Sequence, residues 1–204
     1  MKMNNICSII NLAAIISFLG FAVENVWLAV TKRYIDNRNM SLPFLLGYGL
    51  FVIGFVLVIG TPDDILIPRL NMTSDKIKVL IYFIIAFTVI CFGEIALGMF
   101  TEKYFGFSYW DYSRIPLHIT KYTSVPTSIG FAALFTLFMK RCISPLWGMI
   151  IRIPAYINIP AAVIAAAVLP TDFIRSFRRM HRNRKPNIIW QLNIREKAFI
   201  KAVN

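Results

Sequence analysis

Charge is scarce in this chain. Only 16% of the 204 residues are Asp, Glu, Lys or Arg, and just ten are acidic. A soluble domain carries about 25% charged residues, so that class is excluded. Cysteine and histidine are sparse too, at three and two residues. Cys7, Cys91 and Cys142 stand far apart, in or beside apolar segments, which excludes a disulfide framework or metal knuckle and predicts buried free thiols. No second histidine accompanies His118 at metal spacing, and neither metal nor cofactor is expected. The signatures GxxxxGK[ST], GxSxG, HExxH and CxxC are all absent. The chain is therefore expected to carry no ATPase of its own, and standard hydrolase, zinc-protease and thioredoxin-like readings lack support.

What is present is apolar: 57% of the residues, with a mean hydropathy of +0.63. Crossing a hydrocarbon core of about 30 Å takes roughly 20 apolar helical residues. Runs near residues 6–30, 41–60, 79–100, 124–139 and 146–169 meet or approach that length. They predict an all-α fold, a polytopic transmembrane helical bundle of about five spans, with four as the alternative. The first run is longer than the 7 to 15 residues of a signal-peptide core, and is read as a retained helix. In the last run Arg152, Pro154 and Pro160 predict either an interfacial piece followed by a span or one kinked helix. The organisation expected is a transmembrane domain over 1–171 and a basic amphipathic tail over 172–204.

The formal charge of +12 is concentrated, with nine of the 22 basic residues after Asp172. With five spans, fifteen Lys and Arg fall on one side against six on the other. The positive-inside rule then predicts a multi-pass cell-membrane protein with its C-terminus cytoplasmic and its N-terminus outside. Arg175, Arg178, Arg179 and Arg182 share one helical face in the tail. Membrane lipids, with anionic headgroups at this face, are the expected partners, each basic residue contributing about 1 kcal/mol; the plain alternative is a topology signal alone. No nucleic acid is expected, because no recognition module accompanies the charge. An Asn-Met-Thr at 71–73 fits a glycosylation acceptor.

Two carboxylates interrupt apolar runs, Glu24 and Glu94. An ion at the bilayer centre costs about 2.5–3.5 kcal/mol, so such groups face a bundle interior and find partners. Both stand about six residues before the cytoplasmic ends of their predicted spans, hence at similar depth. Asn25 neighbours Glu24, Arg38 follows in the next loop, and "FSYWDYSRIPLHI" at 107–119 adds Trp110, Asp111, Tyr112, Arg114 and His118. These are the candidate ligand-binding residues, expected to converge on a cytoplasmic-leaflet pocket. Helix glue for the acids, an interfacial belt for the aromatics and a satisfied interfacial histidine are the plain alternatives.

The order "FLGFAVENVW", "YIDNRNMSLPFLLGYG" and "GEIALGMFTEKYFGFSYWDYSRIPLHI" resembles the ABC-transporter type IV, or CmpB-like, family of bacterial integral membrane proteins. The resemblance covers roughly 18–138 and points to Glu24, Asn37, Arg38, Glu94, Phe105, Gly106, Trp110, Asp111, Tyr112, Ser113 and Pro116. It departs from the family at Asn39, where a glycine would stand, and at the "GYG" entering the second run. The resemblance implies a permease-like protein handling a small or amphipathic ligand, with a separate ATPase or other membrane subunit as a candidate partner. The intramembrane glutamate, the following "T…FG", the aromatic-x-Tyr-Ser and the later "IP" or "VP" also resemble membrane enzymes of carotenoid biosynthesis such as the hydratase group, a resemblance that implies acid catalysis on an isoprenoid or lipid. A structural membrane subunit is the third reading.

Overall fold

The computed structural model describes residues 2–66, 74–194 and the strand at 198–200. The Asn-Met-Thr at 71–73 and part of the basic tail lie outside the described residues. Six helices dominate: α1 Lys2–Lys32, α2 Leu46–Val58, α3 Asp75–Phe105, α4 Val125–Arg141, α5 Ile143–Ile150 and α6 Ala155–Asn183. Five short strands are β1 Tyr34–Asp36, β2 His118–Thr120, β3 Thr123–Ser124, β4 Gln191–Asn193 and β5 Ala198–Ile200. The protein is an all-α helical bundle.

Among the described residues, α1, α3 and α6 are long and apolar enough to cross a membrane. The pair α4 and α5, bent by 46° at Cys142, adds a fourth if it forms one broken span. The run expected at 41–60 yields only the 13 residues of α2, about 20 Å at 1.5 Å per residue. Pro43 keeps the chain before it out of the helical region. The last run breaks at 151–154, at the expected Arg152 and Pro154, into the short α5 and the long α6, whereas Pro160 and Pro170 lie inside α6, which continues to Asn183. Cys7 and Cys91 are buried, but Cys142 is exposed, because it caps α4 at the bend.

The chain forms two compact units, Met1–Gly54 with Trp147–Asn204, and Phe55–Leu146. In the first, α1 packs on α6 through polar groups as well as apolar ones. Asn158 is fully buried; its side-chain amide donates to Asn4 Oδ1 (2.7 Å) and Ser8 Oγ (3.0 Å), and its oxygen accepts from Asn11 (2.7 Å). Asn4, Ser8 and Asn11 recur at i, i+4 and i+7 on α1, so one stripe meets one hub. At the far end β1 pairs antiparallel with β4, and β4 with β5. The two helices therefore run parallel. α2 docks on α1 where Gly49 lies against the Ala13 carbonyl, with no room for a β-carbon, and Leu45 N–H donates to Ser17 O at 3.0 Å.

In the second unit α3 packs on α4. Phe55, Tyr82 and Phe135 form its aromatic core, with ring centroids 4.9–6.4 Å apart. Tyr82 is buried and satisfies its hydroxyl on the Gly60 carbonyl, 3.1 Å away. α3 stops at Gly106, whose left-handed φ of 80° suits glycine and whose N–H returns to Glu102 O. α4 starts behind Ser124 with Pro126 in its first turn, a favoured entry to a helix.

Candidate functional site

Each unit carries a carboxylate cluster near the end of its long helix. In the first, Glu24 on α1 accepts from Tyr48 Oη of α2 at 2.5 Å and pairs with Arg38 Nη2 at 3.0 Å. Both charged side chains are 19% exposed, so the pair is partly buried. The Tyr48 ring occupies the space that a β-carbon on Gly20 would need, one turn before Glu24. Arg38 is aimed by its own turn: Asp36 Oδ1 accepts the Arg38 N–H at 2.8 Å, and Asn25 Oδ1 accepts the Asp36 N–H at 2.9 Å. Arg38 and Asn39 both take left-handed φ values, 47° and 64°. Such strain costs about 1 kcal/mol or more per non-glycine residue and persists only where surrounding contacts fix it.

Those contacts come from the C-terminal segment. Asn37, 2% exposed, donates to Met40 O and Asn187 O at 2.7 and 2.8 Å and accepts from Ile189 N–H at 2.8 Å. Asn39 Oδ1 accepts from Asn187 N–H, and the carboxylate of Asp172 on α6 accepts from Ser41 and Leu42. The loop carrying Arg38 is thus built jointly by α1, α6 and β4. Beside Asp36, burial pushes the Tyr34 phenol above its ordinary range.

In the second unit Glu94 accepts from Thr123 Oγ1 at 2.5 Å and Ser128 Oγ at 3.0 Å, and these buried hydroxyls lie 2.9 Å apart. They surround the N-terminus of α4, whose dipole favours a carboxylate. Two turns on, Glu102 accepts from Tyr122 Oη (2.5 Å), Ser108 Oγ (3.0 Å) and Lys121 Nζ (2.7 Å). The Tyr122 ring sits where a β-carbon on Gly98 would be. Its bond to Glu102 holds the Tyr122 phenol above its ordinary range, and the same carboxylate raises Lys121. Beside this cluster lies an open cavity of about 390 Å³ lined by Met99, Phe100, Glu102, Lys103 and Tyr122.

The loop 106–117 folds over the same segment. Trp110 Nε1 donates to Tyr122 O at 2.7 Å, and Tyr112 N–H to Lys121 O at 2.8 Å. Asp111 is exposed and accepts from Ser113, whose hydroxyl and N–H hold it below its ordinary range.

Over residues 12–177 the sequence matches the family described as "Putative ABC-transporter type IV". The chain belongs to this family. No curated protein and no solved structure matches it. Its apolar helices and family make it a membrane protein related to transport.

Of the residues read from the sequence, Glu24, Asn25 and Arg38 come together in the first unit. Trp110 and Tyr112 converge on 121–122 in the second. Glu94 meets the hydroxyls of Thr123 and Ser128. Arg114 and His118 are exposed, the latter 3.2 Å from Ile115 O. Arg175, Arg178, Arg179 and Arg182 line an open cavity of about 430 Å³ along α6. Sequence reasoning missed Tyr48, Glu102, Lys121, Tyr122, Thr123 and Ser128. Glu102 falls just past the run expected at 79–100, where a charge is unremarkable, and the signal that could have found it is Gly98, one turn before it.

Proposed function

We propose that this chain is a permease-like membrane protein that binds and moves an amphipathic ligand, drawing any nucleotide-derived energy from a separate subunit. The observation that carries the reading is the cavity at the end of α3. Exposed Met99 and Phe100 offer apolar walls, while Glu102 and Lys103 supply both signs of charge. Neither a purely apolar nor a small ionic solute uses both features; an amphiphile with a polar head does. Trp110 to Ser113 would form the lid, because their loop is bonded to 121–122.

The orientation proposed is N-terminus outside and C-terminus cytoplasmic, in the cell membrane. The loop after α1 and the segment after α6 share one sheet, and this end of the two helices carries Lys32, Arg33, Arg38 and the α6 arginines, which suits a cytoplasmic face and anionic headgroups. Because α1 and α6 run parallel, the chain must recross an odd number of times between them. Five spans fit this parity if short α2 counts as one, which local bilayer thinning permits.

The test is native mass spectrometry of the intact protein in detergent, titrated with a short-chain phosphatidylethanolamine. Saturable binding weakened at least tenfold by Glu102→Gln is expected. Binding unaffected by that change would overturn the reading, and conversion of the probe to a new mass would favour an enzyme.

A further inference from the structure

The two units share a construction. α1 and α3 each have 31 residues. Late in each stand Leu, Gly and Glu at the same spacing, in "LGFAVE" at 19–24 and "LGMFTE" at 97–102. After each helix comes a Tyr-x-Asp, Tyr34 to Asp36 and Tyr109 to Asp111, then a proline, Pro43 or Pro116, and then another helix.

The geometry repeats with the sequence. Gly20 and Gly98 each make room for a tyrosine ring, Tyr48 or Tyr122, from the segment that follows. Each tyrosine donates to the glutamate one turn after that glycine, at 2.5 Å in both units. A cation completes each carboxylate, Arg38 at 3.0 Å and Lys121 at 2.6 Å. Asp36 and Asp111 each accept the N–H two residues on, at 2.8 Å. Among the described helical glycines, only these two lie against aromatic rings. Tertiary packing alone has no need to repeat four such relationships, because each can be satisfied in other ways.

We propose that the chain is an internal duplication in which Glu24, Tyr48 and Arg38 form a second copy of the Glu102, Tyr122 and Lys121 site. Both copies take one ligand class, an amphiphile whose headgroup carries a cation and an anion. This rests on the function proposed above. The chemistry follows from the shared parts. A carboxylate and a cation in contact can exchange each other for the two charges of a zwitterion, so neither is left unpaired when the ligand enters or leaves. Exposed apolar side chains adjoin both clusters, Val23 and Trp27 in the first unit, Met99 and Phe100 in the second. Both partners have moved along the chain, the cation standing 14 residues after Glu24 but 19 after Glu102, and the tyrosine 24 but 20. What the two copies keep is their place on the carboxylate.

Native mass spectrometry with the same short-chain phosphatidylethanolamine, on the full chain, tests this by stoichiometry. Two saturable equivalents are expected, one lost in Glu24→Gln and the other in Glu102→Gln, with none left in the double variant. Tyr48→Phe and Tyr122→Phe, which keep the ring on its glycine, should each weaken one equivalent several-fold and guard against misfolding of the charge variants. A single equivalent, lost in Glu102→Gln but untouched by Glu24→Gln and Tyr48→Phe, would overturn the functional duplication and leave the first reading standing. Failure of wild type to bind would overturn both.

Discussion

The ring of Tyr122 lies on Gly98 while its hydroxyl reaches Glu102 one turn later, 2.5 Å away. Steric room and hydrogen bond are therefore two conditions on one side chain. Gly98→Ala should push the ring outward and break the bond together, costing about 1–3 kcal/mol by overpacking. Tyr122→Phe should cost less, since it keeps the ring on Gly98 and removes only a solvent-exposed hydrogen bond to Glu102. Thermal unfolding in detergent ranks the two. If Gly98→Ala matched wild type, the close seat of the ring would be refuted.

Asn158 should be the most sensitive polar residue in the α1–α6 interface. Its side chain serves Asn4, Ser8 and Asn11 at once. Side-chain hydrogen bonds in membrane proteins average about 0.6 kcal/mol, with a maximum near 1.7. Asn158→Ala removes three and should cost about 2 kcal/mol, whereas Asn11→Ala should cost no more than about 1. Unfolding in a denaturing detergent titration gives both values. Equal losses would mean that Asn158 is not the hub.

Helices were legible because apolar runs of membrane length leave little choice of conformation. At their C-terminal ends α1 runs two residues and α3 five past the predicted 30 and 100, since Lys32 and Lys103 can continue a helix that hydropathy no longer marks. Glu24 stood out because an acid in an apolar run is conspicuous, and Arg38 was singled out as one candidate among several. Tyr48 was not, since a tyrosine among glycines and leucines reads as packing. Its role depends on α2 docking against Gly20 and Gly49, a tertiary event that no local pattern encodes. The arginine face of the tail was read as a lipid-binding surface or a topology signal, and the hold of Asn37 and β1 on Asn187 and the segment 189–193, 150 residues later in the chain, was not read at all. Pairing at that separation has no signature in one sequence.

The loop over Tyr122 should ignore pH near neutrality. Ser113 holds Asp111 below its ordinary value of 3.8, so its contribution is present above that value and fades as pH falls through the lower folded one. Glu102 raises Lys121 above 10.5, so that contribution is complete below 10.5 and fades as pH rises through the higher folded value. A fluorotryptophan resonance at Trp110, bonded to Tyr122 O, should stay fixed between these limits and move only outside them. Ser113→Ala should bring the acid transition up toward 3.8. Movement near pH 7 would count against this set of contacts.

Asn37 joins the loop that presents Arg38 to the C-terminal segment, and its substitution should separate tethering from folding. Its amide and carbonyl bind Met40 O, Asn187 O and the N–H of Ile189. All are removed in Asn37→Ala, and at about 1 kcal/mol each the segment should lose most of its anchorage while α1 and α6 keep theirs through Asn158. Hydrogen exchange in Asn37→Ala should therefore quicken at 187–193 by tenfold or more and stay unchanged at 4–20 and 158–170. Because those bonds also hold the left-handed turn at Arg38 and Asn39, the Arg38–Glu24 pair should loosen with the segment. Asp36→Asn, which weakens the turn from the other side, should loosen that pair without releasing the segment. If both variants gave the same exchange pattern, the C-terminal segment and the turn would be one cooperative element, and Asn37 would not be the link between two.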